Sequence, residues 1–360
     1  MATVTFNRTQ GVKFNSNAER SIAAGWDATA APVINSASGT FSDGNTITLN
    51  GSNFSAAATE RFFTDFSNDT IGQRASGLYY WVYSGGADYL VTSGATDIGS
   101  GKFLRSNPVQ DNYQTVTYEF TSDKSEVFLE AWCRADRQDF TATPDAAQIK
   151  MYRLCPGTGE SSMQGLPQAL NLILESNDSM ACEARPASFT GYADVGAFAN
   201  NVWTKFTLYK KIGEPYNKIG KQLIKMGSTD AFKYGGISLQ SPTGQYPDSS
   251  WDCELQVTND ATTIGQYFRR LAMPYFQRGT QTTVMDISQL YISDSQERVV
   301  IGDAATWEAC DHSKTITAQI VSRNNSQIQF VAKQGYFTTG NVYAYVVNHS
   351  GLRSAAIQVR

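Results

Sequence analysis

VINSASGTFSDGNTITLNGSNF, residues 33–54, is the stretch on which the fold turns. Val33 and Ile34 open a short strand, and the run Ser38-Gly39-Thr40-Phe41-Ser42-Asp43-Gly44-Asn45 is a turn. In Thr46-Ile47-Thr48-Leu49-Asn50-Gly51 the apolar residues alternate with polar ones, the period of a half-buried strand. Two strands cannot bury a face by themselves. Their partners are expected beyond residue 315, which makes everything between an insertion.

Working outward, residues 1–31 carry only isolated apolar side chains (Phe6, Val12, Phe14, Ile22, Trp26) and read as an extended N-terminal arm laid on a neighbour. After residue 56, strand-like runs recur every 8 to 15 residues between Gly, Asn, Asp and Pro turns. Thr115–Phe120, Glu126–Cys133, Gln148–Leu154, Val202–Tyr209 and Val284–Ser293 are the clearest of them. About ten such runs imply an antiparallel two-sheet jelly roll, not a βαβ fold. One helix is expected, Asp260–Met273, with Ile264, Phe268 and Leu271 on one face and Pro274 as its stop. From residue 302, the runs Ile316–Val321, Gln327–Ala332, Val342–Val347 and Ala355–Val359 have the spacing of an Ig-like domain. The expected architecture is all-β: an arm (1–31), an Ig-like sandwich split into 32–56 and 302–360, and an inserted jelly roll (57–301).

The two halves of the split domain resemble the IPT/TIG-type Ig-like family. The opening match is Pro32, Gly39, Gly44, Ile47, Leu49, Gly51, Asn53 and Phe54. The closing match is Tyr343, Tyr345, Val347, Asn348, Gly351 and Ser354. The insertion resembles a concanavalin A-like (laminin-G-like) jelly roll, through Phe62–Ser67 (FFTDFS), Trp203–Lys211 (WTKFTLYKK) and the closing run from Asp286 to Trp307. This pairing resembles uncharacterised virion and surface proteins of phage and bacteria, and implies glycan binding, protein binding or decoration of a shell.

Composition narrows the function. Of the 360 residues, 17% are charged and the formal net charge is −4, so there is no basic face for nucleic acid. No apolar run approaches the roughly 20 residues that span a bilayer. The start, MATVTFNRTQ, lacks the pattern of a secretory leader. Five cysteines (Cys133, Cys155, Cys182, Cys253, Cys310) are odd in number and widely spaced, which is neither a disulfide framework nor a zinc site. Only two histidines occur, His312 in a loop and His349 in a turn, a poor basis for a Ser-His-Asp or metal-histidine site.

Glycosidases on jelly rolls place their acid and nucleophile about 5 Å apart, on alternating carboxylates. No such run occurs. Glu126 with Glu130, and Asp252 with Glu254, come nearest, and the first pair reads as the solvated side of a strand. The chain is therefore expected not to be an enzyme. The resemblance implies a structural calcium where the first and last jelly-roll strands meet, and Asp65 and Asp286 fall there. The other reading of these carboxylates is that they cap turns or accept backbone hydrogen bonds. Flat aromatic faces suit sugar rings. Alternation puts Tyr79, Trp81 and Tyr83 on one side of their strand and Tyr80 on the other, and Tyr246 and Trp251 form a second candidate pair.

The expected function is that of a structural protein of a phage particle, a capsid decoration protein or a tail or fibre adhesin, assembled in the host cytoplasm. The arm and Ig-like domain would grip other virion proteins, with the jelly roll turned toward host glycans and the whole a homo-oligomer. A bacterial surface carbohydrate-binding protein is the alternative, and a polysaccharide-cleaving enzyme the third reading.

Overall fold

A computed structural model of the chain describes residues 30–55, 59–82, 89–106, 114–137, 147–155, 170–174, 179–184, 191–197, 201–211, 221–226, 268–273, 276–279, 283–349 and 351–360. The arm, apart from its last two residues, and the candidates Tyr83, Tyr246, Trp251, Asp252 and Glu254 lie outside the described residues.

The strands run β1 (Val33–Ser38), β2 (Thr46–Ser52), β3 (Arg61–Thr64), β4 (Tyr79–Val82), β5 (Leu90–Ser93), β6 (Lys102–Arg105), β7 (Gln114–Lys124) and β8 (Glu126–Arg137). They continue as β9 (Ala147–Cys155), β10 (Leu170–Leu174), β11 (Ser179–Ala184), β12 (Gly191–Ala197), β13 (Thr204–Lys211), β14 (Lys221–Met226) and β15 (Phe268–Met273). Next come β16 (Phe276–Gly279), β17 (Thr283–Ser293), β18 (Arg298–Gly302), β19 (Ile316–Thr317) and β20 (Gln319–Arg323). β21 (Gln327–Val331), β22 (Tyr343–Val347) and β23 (Ile357–Gln358) complete the series. A single turn of 3-10 helix, Trp307–Ala309, is the helical content among the described residues.

The split is real. β2 pairs antiparallel with β21, from Thr46 opposite Val331 to Asn50 opposite Gln327. The small domain is a sandwich of two 4-stranded sheets, β1-β2-β21-β20 and β19-β18-β22-β23. Ile47, Leu49, Ile328 and Phe330 from the first sheet meet Val299, Ile301, Ala344 and Val346 from the second in one core. Gly51 is required at the strand crossing: a Cβ there would lie 1.9 Å from the Val33 carbonyl oxygen and 2.5 Å from the Phe54 ring.

Two expectations are corrected here. The boundary falls before Arg298, not at residue 302. Strand β18 was read as the jelly roll's closing run, but it pairs with β22 and β19 and adds an eighth strand to the small sandwich. The expected helix is also overturned at its C-terminal end, because Phe268–Met273 is β15, hydrogen-bonded between β7 and β9. Leu271 and Met273 lie opposite Tyr118 and Val116 on one side, and Arg270 and Ala272 opposite Glu119 and Thr117 on the other, a period of two in which all four are fully buried. Tertiary pairing outweighs the helical spacing that Phe268 and Leu271 happen to share.

The insertion is an 8-stranded sheet, β12-β11-β10-β9-β15-β7-β4 with β16 beside β9, packed on a 7-stranded sheet, β14-β13-β8-β17-β6-β5 with β3 beside β17. The core between them is set by alternation. Tyr118 of β7 stacks on Phe62 of β3 at 5.0 Å between ring centroids. Val116, Phe120, Leu129, Ala131, Ile292 and Phe206 are all buried with them.

The chain crosses between the two domains twice, and the crossings are tied together. Glu297, fully buried, accepts hydrogen bonds from both terminal nitrogens of Arg323, and also from Arg61 and Thr59. Arg323 also donates to the carbonyls of Phe54 and, at 3.1 Å, Ser55. One step further out, Glu60 and Asp294 exchange backbone and side-chain hydrogen bonds and share the ammonium of Lys124.

Candidate functional site

The outward face of the 7-stranded sheet is closed by the small domain. Glu130 Oε1 accepts from the Thr317 amide at 2.9 Å, and Gln289 Nε2 donates to the Thr317 carbonyl at 3.3 Å. Lys205 Nζ donates to the Thr315 carbonyl at 3.0 Å and to its hydroxyl. Trp132 packs against Tyr336 at 5.5 Å, and the Tyr336 hydroxyl donates to Asp97 at 2.6 Å. The pair Glu126 and Glu130, read as a solvated side, is therefore corrected: Glu130 is 4% exposed and engaged by the small domain.

The outward face of the 8-stranded sheet is different. Val116 and Tyr118 point into the sandwich, so Thr117 between them faces away from it. The pairing registers then carry one row across seven strands: Tyr79, Thr117, Ala272, Arg153, Asn171, Glu183 and Tyr192. Directly opposed residues of an antiparallel sheet share a face. At the usual strand spacing the row is roughly 29 Å long. Thr117 and Ala272, within the row, are fully buried, while Tyr79 at the sheet edge is 55% exposed. In the next row Arg270, itself buried, pairs with Glu119.

Of the residues singled out in the sequence, the structure keeps Tyr79 and Trp81 on β4, with Trp81 opposite Thr115 and Tyr79 opposite Thr117. Tyr80 occupies the alternate position as expected. Its hydroxyl accepts from the Ala75 amide at 2.7 Å and donates to the Ala75 carbonyl. Sequence reasoning missed Arg153, Asn171, Glu183 and Tyr192. They are scattered over 40 residues, and no local spacing announces that four strands align them.

Asp65 and Asp286 do not form a cation site. Asp286, fully buried, is held by Arg105 (2.8 and 2.9 Å) and Arg134 (2.7 and 3.1 Å) from the strands on either side. Asp65 accepts from Ser67 and is ion-paired with Lys333 of the small domain. The oxygens that would coordinate calcium face guanidinium and ammonium groups instead, so the residues present do not fit the ion. Among the described residues no three His, Cys, Asp or Glu side chains converge on a common point. The two histidines are likewise structural in setting: His312 stacks on Trp307 at 4.6 Å, and His349 Nδ1 is 2.8 Å from the Ser55 hydroxyl.

The Asp65 pair has a pH consequence. Burial pushes the Asp65 carboxyl up, but Lys333 and Ser67 outweigh it and hold the group below its ordinary value of 3.8. Glu60 behaves alike: burial raises it, and Thr121, Lys124 and Tyr118 together bring it below 4.5. Because the folded values are depressed, both groups contribute stability that is complete above those ordinary values. That stability is lost as pH falls through the folded ones. Lys333→Met is expected to lower the urea midpoint at neutral pH and to flatten its acid dependence. Parallel pH profiles for the variant and the parent would rule this out.

No protein-family model matches the chain, and no curated protein matches it. Solved structures of similar fold include the cellulose-induced protein Cip1, at 9% identity over 65% of this chain and 97% of that one, with a TM-score of 0.40. They also include the PL-14 alginate lyase of Aplysia kurodai, at 13% over 60% and 90% with a TM-score of 0.40. A third is the Emp46p carbohydrate recognition domain in its potassium-bound form, at 11% over 61% and 88% with a TM-score of 0.35. These likenesses concern the all-β jelly-roll fold. The expectation that the chain is not an enzyme is corrected: alginate lyases, Aly36B among them, share this type of fold, and the exclusion of activity does not stand.

Proposed function

We propose that the protein is a surface carbohydrate-binding protein whose jelly roll takes an extended polysaccharide across the outward face of the 8-stranded sheet. The observation that supports this reading is the seven-strand register row, which runs from exposed Tyr79 to Tyr192. The residue types along it suit the task. A tyrosine ring offers a flat apolar face at the edge. Arginine, asparagine and glutamate supply donors and acceptors for ring hydroxyls.

A second reading, cleavage on the same face, is favoured by the side-by-side register of Arg153, Asn171, Glu183 and Tyr192, residue types capable of charge stabilisation and proton transfer. A glycan array followed by titration of its hits tests the binding. Tyr79→Ala is expected to weaken affinity about three- to tenfold, the worth of one aromatic contact. Binding that is absent, or unchanged in Tyr79→Ala and Asn171→Ala, overturns the site. Release of new chain ends from the bound polysaccharide, lost in Glu183→Gln or Tyr192→Phe, would establish the second reading.

We further read the small domain as IPT/TIG-type, on the runs Ile47–Phe54 and Tyr343–Ser354. Together with the arm it is the grip on a larger homo-oligomeric assembly, either a bacterial surface or a phage particle. Mass spectrometry of purified virions against cell-surface fractions decides the address.

A further inference from the structure

Among the described residues, the outward face of the β1-β2-β21-β20 sheet carries no charged side chain. Across it lie Ser36, Asn50 and Gln327 in one row, Ser38, Thr48, Gln329 and Ser322 in the next, and Thr46, Val331 and Gln319 beyond. Every one of these residues is exposed or half-buried, whereas Ile47, Leu49, Ile328 and Phe330 between them are buried in the core. Charge appears at the rim of the sheet instead, where Arg323 turns away to Glu297.

The amides on this face are held in place. Asn50 Nδ2 donates to the Ser36 hydroxyl at 3.3 Å, and Gln327 Nε2 donates to Asn50 Oδ1 at 3.0 Å. In the neighbouring row Gln329 Nε2 donates to the Thr48 hydroxyl at 3.4 Å, and the Ser322 hydroxyl donates to Gln329 Oε1 at 2.8 Å. Each amide has two N–H donors and two carbonyl lone pairs, so one such bond at each end leaves capacity for a ligand. The two chains lie about 7 Å apart along the strands.

We propose that this face is a second glycan-binding surface, specific for neutral polysaccharide. Complementarity of charge selects the ligand. A polyhydroxyl chain surrenders hydrogen bonds to water on binding and needs groups that both donate and accept. It offers no counter-ion, so any charged side chain it covered would be desolvated without compensation. A surface of pre-oriented amides and hydroxyls meets the first requirement and avoids the second cost, since ordering the side chains beforehand lowers the entropy lost on binding. The inference rests on its own residues, apart from the jelly-roll row.

Affinity electrophoresis of the full chain in gels containing dextran, galactomannan, mixed-linkage β-glucan or xylan tests it, with alginate as the charged control. At least one neutral polymer is expected to retard the protein. Gln329→Glu and Thr48→Lys should each weaken that retardation about tenfold or more at unchanged melting temperature, in a Tyr79→Ala background as in the parent chain. Retardation by none of the neutral polymers overturns the proposal, as does retardation insensitive to both face variants. So does an assembly state, read by sedimentation, that the same variants dissociate, because the face would then join copies of the chain. Loss in Tyr79→Ala alone would assign the binding to the jelly-roll row and leave this face without a ligand.

Discussion

Glu297→Ala is expected to destabilise the protein by about 3–5 kcal/mol, the cost of removing one partner from a buried ion pair. The carboxylate is fully buried and Arg323 is 4% exposed on its side chain, so the guanidinium left behind cannot recover its charge partner from water. The effect reaches past stability because the pair spans the point where the chain enters and leaves the jelly roll. Arg323 also closes the carbonyls of Phe54 and Ser55, and the Tyr291 hydroxyl donates to the Glu297 carbonyl at 2.8 Å. Urea denaturation of the variant should show a lower midpoint, and limited proteolysis should cut first near residues 56–60. A loss below about 1 kcal/mol would place the pair among surface ion pairs and remove its role at the crossing.

Trp132→Ala is expected to cost about 3–5 kcal/mol, the usual range for deleting a large buried aromatic. Trp132 is 1% exposed and sits in the cluster that joins jelly roll and small domain, with Phe103, Ile98 and Trp203 on one side and Ile316, Ala318 and Phe337 on the other. Removing it opens a cavity in the seam, so two unfolding transitions should replace one in calorimetry. Trp132→Phe is the informative control. The indole N–H has no hydrogen-bond partner among the described residues, and phenylalanine keeps much of the apolar volume while eliminating that buried donor. Its cost should fall well below that of alanine. Equal losses for the two variants would mean that volume is not what matters at this position.

Some of this architecture could be read residue by residue, and some could not. Ile47 and Leu49 against Thr46 and Thr48 declared both a strand and its buried side, and their burial is as that alternation requires. The same logic separated Tyr79 from Tyr80. It failed at Phe268–Met273, where Phe268 and Leu271 are three apart, as on a helix face, and Leu271 and Met273 are two apart, as on a strand face; the neighbours β7 and β9 settle the choice by hydrogen-bonding both edges. It failed again at Arg298–Gly302, because a run buried on both faces carries no sign of which domain it belongs to. Val299 and Ile301 fill one core and Val300 another.

The candidate site shows the same division more sharply. Residue types and strand periods are local properties, set by the alternation of side chains along one backbone, and they established an all-β chain and pointed to a domain split by an insertion and to Tyr79 and Tyr80 on opposite sides of their strand. Registers between strands far apart in sequence are not local. They follow from which hydrogen-bonded edges meet after the chain has collapsed. Only the tertiary structure could bring Arg153, Asn171, Glu183 and Tyr192 into line with Tyr79, turn Asp65 and Asp286 toward lysine and arginine instead of a metal ion, and cover one sheet of the jelly roll while leaving the edge of the other exposed.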